Sequence, residues 1–379
     1  MEDFIVPVPP RMNSAEHVNE LLYQMVQMGG SDLFIIGSGE IWVSRYGRKV
    51  KLTNRRLTDN EARDLIIALY NTNAPSMLGA AQPINDAHEF YREESGERNR
   101  YRFRLNAVGC LRNGRKSMTI TLRTIPTTPP HWEVYGVEKE IIEVTRALDQ
   151  GLVLVVGATG NGKSTLLASI LRDRIEGPNS HTNLVTIEHP IEFVYDAIEK
   201  TNSLVTQLQV GNDVSGFHDG VVNSLRMAPN VILVGESRDL ETVQASLEAA
   251  MTGHGVFSTV HANNVPETFQ RLVYVYPKEM QQQARLDVLQ PMKMIVAQRL
   301  IPTIDGKRTA IREVMILDQD DKDRMMESDN IASAAFKLLD SRGRPMIEDA
   351  ESKYRDGIIS EEVIKRMRMN YKAIKKNLG

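Results

Sequence analysis

The spacing of apolar residues divides the chain into regions of different character. Residues 14–28 carry apolar side chains at helical intervals, whereas residues 31–36 and 41–47 are strand-like. Residues 86–123 alternate apolar with polar positions and contain hairpin signals. The sequence therefore predicts that residues 1–123 form a small α+β domain with an antiparallel sheet.

Two local signals support this prediction. Thr58 is followed three residues later by Glu61, the arrangement of a capping box, so a second helix is predicted to begin there. Asn113-Gly114 separates two alternating runs and predicts a hairpin turn.

From residue 137 the pattern changes to apolar strands that alternate with helices, which indicates a parallel sheet covered on both faces. The predicted strands are residues 152–156, 184–187, 231–234 and 256–260. We predict that this α/β domain spans residues 137–317.

Two further segments complete the predicted organisation. The stretch before the α/β domain contains Pro126, Pro129 and Pro130, which disfavour helix, so residues 124–136 are predicted to be a linker or hinge. Residues 318–379 are charged and helical in pattern, and we predict a peripheral C-terminal helical appendage.

A glycine-rich stretch lies between the first predicted strand of the α/β domain and a helical pattern, and it has the spacing of a phosphate-binding loop. Glycine lets successive backbone N–H groups approach a phosphate, and the helix N-terminus adds unpaired N–H groups. Lys163 is predicted to reach the β- and γ-phosphates, and Ser164 to ligate Mg²⁺. The alternative is a glycine-rich turn before an unrelated helix. The predicted nucleotide-binding residues are Gly157, Thr159, Gly160, Asn161, Gly162, Lys163, Ser164 and Thr165.

Polar residues at the carboxyl ends of the other predicted strands supply candidate catalytic groups. Glu236 follows residues 231–234 and is predicted to orient or deprotonate water, or to hold the metal. Glu188 ends a strand at the same sheet edge, where ligands of such sheets gather. His261 closes the next strand and could sense the γ-phosphate, whereas His254 precedes that strand and is predicted to lie further away.

Arginines of the first domain are the remaining candidates. Arginine binds phosphate through two parallel hydrogen bonds, and an arginine donated across a subunit boundary can complete a hydrolytic site. For each one, a solvated strand face is the alternative. The candidates are Arg102, Arg104, Arg112, Arg115 and Arg123.

Composition removes several classes of protein. The formal net charge of −3 and the lack of an aromatic–basic strip argue against a nucleic-acid translocase. Cys110 is the single cysteine, so no internal disulfide or cysteine-rich zinc module is possible. No apolar run approaches the ~20 residues of a membrane span, and residues 1–4 lack a signal-peptide pattern, so a cytoplasmic protein with a peripheral membrane role is expected. Guanine-binding, protein-kinase and zinc-protease motifs are not found in the sequence.

Taken in order, the motifs resemble the secretion and pilus motor ATPases of type II secretion, type IV secretion and type IV pili, in the branch of PilT and of DotB and TraJ. Residues 157–165 resemble the Walker A motif of this family. The other matching motifs are Gly29-Gly30-Ser31-Asp32-Leu33 in the N-domain, Thr186-Ile187-Glu188-His189-Pro190 in the Asp box, residues 231–236 in Walker B, residues 252–261 in the His box, and Gln298-Arg299-Leu300 shortly after it.

The resemblance implies a PAS-like N-terminal domain before a RecA-like ATPase domain, a homohexameric ring, and ATP and Mg²⁺ as ligands. It implies that Glu188 is a catalytic acid and that N-domain arginines, for which we select Arg104 and Arg123, close over the phosphates. Ser164 and Glu236 are the predicted metal ligands. It also implies work on inner-membrane secretion proteins, another secretion ATPase among them, without direct nucleic-acid binding.

The sequence departs from the family pattern in three ways, of which the two absences bear on the system served. His189 replaces the usual aspartate of the Asp box. The Ala-Ile-Arg-Asn-Leu-Ile-Arg-Glu pattern of retraction motors and the tetracysteine insert of many assembly ATPases are both missing from the sequence. We therefore predict an ATPase of type IV secretion, Dot/Icm-like or conjugative, with a pilus retraction or assembly motor as the alternative. A scaffold that binds ATP without hydrolysing it is a third possibility.

Overall fold

The computed structural model describes residues 5–46 and 48–378, and the chain divides into two compact units. Residues 1–4, Gly47 and Gly379, on which parts of the predictions fell, lie outside the described residues. The first unit comprises the described residues up to Thr128 together with Pro190–Val194, and the second comprises Pro129–His189 and the described residues from Tyr195 onward.

The first unit is an antiparallel sheet with three helices. The helices are α1 (Ala15–Gln27), α2 (Asp59–Leu69) and α3 (Ala74–Gly79), and the strands are β1 (Gly30–Ile36), β2 (Trp42–Arg45), β3 (Arg48–Lys51), β4 (Ile84–Glu94), β5 (Glu97–Arg112) and β6 (Arg115–Ile125). The strand order is β3-β2-β1-β6-β5-β4, and each neighbouring pair is antiparallel. The predicted α+β class is confirmed.

The sequence signals explain these elements. Helix α1 buries Val18, Leu21, Leu22 and Met25 against the sheet because they share one helical face. The capping box of α2 forms in both directions, since Glu61 N–H donates to the Thr58 hydroxyl at 3.2 Å and Thr58 N–H donates to the Glu61 carboxylate at 2.8 Å. Strand β6 continues to Ile125, so residues 124 and 125 of the predicted linker belong to the sheet.

The second unit is an α/β layer structure. Its helices are α4 (Lys139–Arg146), α5 (Lys163–Glu176), α6 (Phe217–Ser224), α7 (Leu240–Met251), α8 (Val265–Tyr274), α9 (Gln281–Leu289), α10 (Gln319–Glu327), α11 (Ile331–Arg342), α12 (Met346–Arg355) and α13 (Glu361–Leu378). Its strands are β7 (Gly151–Val156), β8 (Asn183–Glu188), β9 (Leu204–Gln209), β10 (Val231–Val234), β11 (Gly255–Val260), β12 (Met292–Pro302) and β13 (Arg308–Ile316).

The seven strands lie in the order β13-β12-β7-β11-β10-β8-β9. All neighbouring pairs from β12 to β9 are parallel, as predicted, whereas the edge strand β13 is antiparallel to β12. Strand β7 is buried at every position, because helices cover both faces of the sheet and form a hydrophobic core on each side.

The C-terminal helices differ from the predicted peripheral appendage. Met325, Ala335, Leu339 and Ile364 are fully or almost fully buried in the same core cluster as the sheet residues. The backbone of Arg344 also pairs with that of Val314 in β13 through two hydrogen bonds of 2.9 Å. Helices α10 to α13 therefore belong to the core of the second unit. Among the described residues, no helix is long and apolar enough to cross a membrane.

Candidate nucleotide site

The carboxyl ends of four parallel strands bring the predicted groups of the second unit to one sheet edge. The glycine loop follows β7, His261 follows β11, Glu236 lies two residues beyond β10, and Glu188 ends β8. These four strands are consecutive in the sheet. His254 precedes β11 at the opposite edge, where its ring Nδ1 contacts the Ala249 carbonyl at 3.0 Å.

The backbone of the loop requires glycine. Gly157, Gly160 and Gly162 have φ angles of 151°, 80° and 76°, which residues other than glycine rarely adopt. A Cβ added at Gly160 would project into open space, so the loop leaves a cradle beside its backbone. Among the described residues no side chain caps the N-terminus of α5, which begins at Lys163. This loop fits the shape and charge of a phosphate chain.

The Lys163 side chain is hydrogen-bonded to backbone carbonyls of the loop. Lys163 is only 8% exposed, and its ammonium donates to the Gly157 carbonyl at 2.9 Å and to the Ala158 carbonyl at 3.3 Å. Ser164, the next residue, is exposed to solvent. The N-terminus of α5 thus carries the positive charge of Lys163 and the exposed hydroxyl of Ser164.

Glu236 and His261 form one polar cluster with Arg238. The Glu236 carboxylate forms an ion pair with Arg238 Nε at 2.5 Å and lies 3.6 Å from the His261 ring. Partial burial and the positive charge of Lys163 lower the pKa of His261, against the opposing effect of Glu236. His261 is therefore favoured as a neutral imidazole, able to donate one hydrogen bond and accept another.

Glu188 is held by neighbours on its own strand and on β9. Its Oε1 atom accepts from the Thr186 hydroxyl at 2.8 Å and from the Gln207 side-chain amide at 3.3 Å. Gln207 is itself fixed because its Oε1 accepts from the Tyr195 N–H at 3.2 Å. Glu188 and Glu236 lie at the same sheet edge but engage different neighbours.

The donor groups at this edge fit Mg²⁺. A serine hydroxyl and a carboxylate are oxygen ligands that Mg²⁺ accepts alongside several waters, and Ser164 and Glu236 supply them. Among the described residues no group of three or more His, Cys, Asp and Glu side chains could hold a metal by itself. A metal bound mainly through phosphate oxygens and water needs no such cluster.

Three of the five candidate arginines, Arg102, Arg104 and Arg123, have partners within the first unit. Arg123 lies opposite Arg104 in the β5–β6 ladder, and its Nε donates to Asp32 at 2.6 Å. Arg104 donates to the Glu192 carboxylate at 2.8 Å. Arg102 is buried and donates to the backbone carbonyls of Ile191 and Glu192, each at 2.9 Å.

Sequence reasoning missed three polar contributors. Arg238 pairs with Glu236 and lies two residues after it in the sequence. Gln207 lies on β9, a strand that was not predicted from the sequence and whose residues are mostly half-buried. Gln298 belongs to the motif Gln298-Arg299-Leu300, yet no role was assigned to it; its amide contacts the glycine loop.

Comparison with known proteins gives the family. Residues 14–307 match the Type II/IV secretion system protein family. The chain is 34% identical over 298 residues to the type IV pilus ATPase PilU of Pseudomonas aeruginosa, an alignment that covers 78% of this chain and 74% of PilU.

Two solved structures extend the likeness to the fold. The ATPase DotB of Legionella pneumophila superposes with a TM-score of 0.88 at 41% identity, covering 97% of this chain and 98% of DotB. The pilus retraction motor PilT, solved with bound ADP, superposes with a TM-score of 0.76 at 29% identity, covering 91% of this chain and 95% of PilT. The predicted resemblance is confirmed, and the chain belongs to the type II/IV secretion system family as a P-loop ATPase of the secretion and pilus motor class.

Proposed function

We propose that this protein is a Mg²⁺-dependent hexameric ATPase that powers a type IV secretion system from the cytoplasmic face of the inner membrane. The observation that carries the choice of system is the likeness to DotB over nearly the full length of both chains, at 41% identity against 29% for PilT. Its partners would be inner-membrane secretion proteins, including a second secretion ATPase.

In the proposed site, the loop and Lys163 hold the phosphate chain. The residues at the loop are Gly157, Thr159, Gly160, Asn161, Gly162, Ser164 and Thr165. When bound, Mg²⁺ would neutralise phosphate charge, with Ser164 and Glu236 as its protein-side ligands, directly or through water. The lysine ammonium would exchange its loop carbonyl partners for phosphate oxygens, which are stronger acceptors.

Hydrolysis requires a water to add to the γ-phosphorus while the bond to the ADP oxygen breaks. Glu236 accepts the proton of that water or orients it, and Glu188 contributes a second carboxylate at the same sheet edge. His261, whose ring lies 3.6 Å from Glu236, would sense whether a γ-phosphate is present by hydrogen bonding to it. Arg104 and Arg123 supply positive charge to the transition state from the first unit of a subunit.

The work step would be a change in the angle between the two units about the linker, driven by binding and hydrolysis. A phosphate-release assay with Mg²⁺ and with EDTA, combined with light scattering on the same sample, tests the enzyme and the ring together. We expect Mg²⁺-dependent turnover by a hexamer. Turnover in EDTA, or by a monomer, would contradict the proposal.

The pilus motor is the second candidate, and the PilU relationship is the observation that favours it. Affinity purification of the chain from its own membranes distinguishes the two. Co-purification of an inner-membrane secretion complex and a second secretion ATPase supports our choice. Recovery of pilus-assembly proteins instead would show that this ATPase drives a pilus.

A further inference from the structure

Gln298 lies directly beside the glycine loop in the interior of the second unit. It is 1% exposed. Strand β12 runs parallel to β7 with Ala297 opposite Val156, so Gln298 is level with the first residue after β7, Gly157. A buried amide in this position must find hydrogen-bond partners, since an unpaired buried polar group destabilises the folded state.

The loop supplies one of those partners. The Gln298 side-chain Nε2 donates to the Asn161 carbonyl at 2.6 Å, and the neighbouring Leu300 N–H donates to the Asn161 side-chain oxygen at 3.1 Å. Asn161 is therefore held at two atoms by one strand. Because Asn161 lies between Gly160 and Gly162, these bonds fix the middle of the loop.

The glycines at both ends of the loop are packed against the same residue. A Cβ added at Gly157 would lie 2.4 Å from the Gln298 carbonyl oxygen, and one added at Gly162 would lie 3.0 Å from its Nε2. Close approach of Gln298 thus adds to the backbone angles in requiring glycine at Gly157, and it does so at Gly162 together with the Tyr135 hydroxyl, which would lie 2.7 Å from an added Cβ. Gln298 meets the loop at its start, its middle and its end.

Arg312 determines which way the Gln298 amide points. Its Nε donates to Gln298 Oε1 at 2.8 Å, which leaves the amide NH₂ directed at Asn161. Arg312 is 2% exposed and is itself fixed by Glu138 at 2.9 Å and by the Gly136 carbonyl at 2.6 Å. A polar chain thus runs from Glu138 through Arg312 and Gln298 to the loop.

We propose that Gln298 is a positioning residue for ATP: its amide, oriented by Arg312, holds the loop from Gly157 to Gly162 in the shape that accepts phosphates. The inference rests on the proposed assignment of this loop to the nucleotide. Gln298 touches no phosphate itself, so it acts on affinity through the loop. Such an effect raises the dissociation constant and KM more than it changes kcat.

The primary test replaces Gln298 by Met, which keeps the length of the side chain but not its amide. Titration with fluorescent mant-ADP should show about tenfold weaker binding, as expected for loss of the hydrogen bond that reaches the loop, and KM for ATP should rise with it while kcat changes less. The control is Gln150→Met, just before the start of β7, where an exposed amide donates to the Met251 carbonyl at 2.6 Å. It should bind mant-ADP like wild type.

A second variant tests the same series of hydrogen bonds at Arg312. Arg312→Lys keeps the charge but cannot reproduce the bonds to Gln298, Gly136 and Glu138 together. It should weaken mant-ADP binding, and the double variant should bind no more weakly than Gln298→Met, because both changes break one path. If Gln298→Met does not fold, Arg312→Lys alone decides.

Three outcomes would overturn the inference: wild-type affinity in Gln298→Met, wild-type affinity in Arg312→Lys, or additive losses in the double variant. Failure of the inference is distinct from failure of the site assignment. If Lys163→Ala loses affinity and Gln298→Met does not, the loop binds nucleotide without this support. If neither variant loses affinity, the assignment of the loop itself is wrong.

Discussion

Arg104 and Glu192 are joined by a 2.8 Å ion pair between residues 88 positions apart in sequence. The side chains are 40% and 30% exposed, so the pair is solvated and of low strength. An arginine that is to serve a nucleotide must be able to leave its resting partner. A half-exposed pair of this kind stabilises the first unit little and leaves Arg104 available.

Arg104→Ala is expected to lower kcat for ATP hydrolysis at least about a hundredfold, the scale of a lost transition-state charge, with little change in the free energy of unfolding. Steady-state phosphate release and thermal unfolding on the same preparation check this. Arg48→Ala, an exposed arginine on β3, is the control and should turn over normally. Normal turnover in Arg104→Ala would remove this residue from the site.

Arg123→Ala is expected to destabilise the first unit as well. Its partner Asp32 is buried, with 8% of the side chain exposed, so removing Arg123 leaves a carboxylate without its ion pair at a cost of about 1–3 kcal/mol. Burial acts to raise the pKa of Asp32, but the Ser31 hydrogen bond and Arg123 outweigh it and hold the pKa below its ordinary value.

The pH dependence of the Arg123→Ala effect follows from that direction. Because the folded pKa of Asp32 is depressed, the stabilisation is present above pH ~4 and is lost as pH falls through the folded pKa. Chemical denaturation of wild type and variant at pH 7 and at pH 3 measures it. A stability difference that is the same at both pH values would contradict the ion-pair explanation.

Glu236→Gln is expected to reduce turnover by about 10²–10⁴-fold, the usual contribution of a general base, while ATP binding persists. Glutamine has the same shape and keeps an acceptor for Arg238, so the cluster should survive. Single-turnover hydrolysis and equilibrium nucleotide binding separate the two effects. Hydrolysis near the wild-type rate would show that another group activates the water.

Glu313 provides a test of how the C-terminal helices join the second unit. Its buried carboxylate on β13 accepts from the Val265 N–H at 2.7 Å and from the Met346 N–H at 3.5 Å, at the starts of α8 and α12. Burial raises the pKa of Glu313 to about 7, against these two hydrogen bonds. The folded state therefore holds a proton that the unfolded state has released above pH ~4.5.

The contribution of Glu313 to the unfolding free energy should consequently fall as pH rises from ~4.5 through 7. Glutamine at position 313 cannot titrate. The unfolding free energy of Glu313→Gln relative to wild type should therefore be about 1–3 kcal/mol higher at pH 8 than at pH 5. Denaturation series at the two pH values measure the gain. Glu279→Gln, at an exposed position, should show no such gain; equal behaviour of the two variants would refute the assignment.

Much of the framework could be predicted from local sequence because its signals are local. The capping box of Thr58 and Glu61 and the turn at Asn113-Gly114 each depend on a few neighbouring residues. The glycine loop was found from its spacing, and the sheet edge from the rule that parallel strands present their carboxyl ends together.

Contacts that depend on tertiary packing could not be read in the same way. The Arg104–Glu192 ion pair is one example, since the two residues are 88 positions apart and nothing near either of them in the sequence indicates the other as a partner. The C-terminal helices were predicted to be peripheral because they are rich in charge, yet a sparse set of apolar residues such as Met325 and Ile364 is enough to place them in the core. Gln298 was named only as part of a motif, because its function depends on the register of β12 with β7.

The most direct test of the whole account is equilibrium binding of a fluorescent ATP analogue to wild type and to Lys163→Ala. Lys163 is buried in the loop and bonded to its carbonyls, so the alanine variant should fold but lose at least about tenfold in affinity, as for one charged hydrogen bond. Unchanged affinity in folded Lys163→Ala would contradict the claim that this loop holds the phosphates.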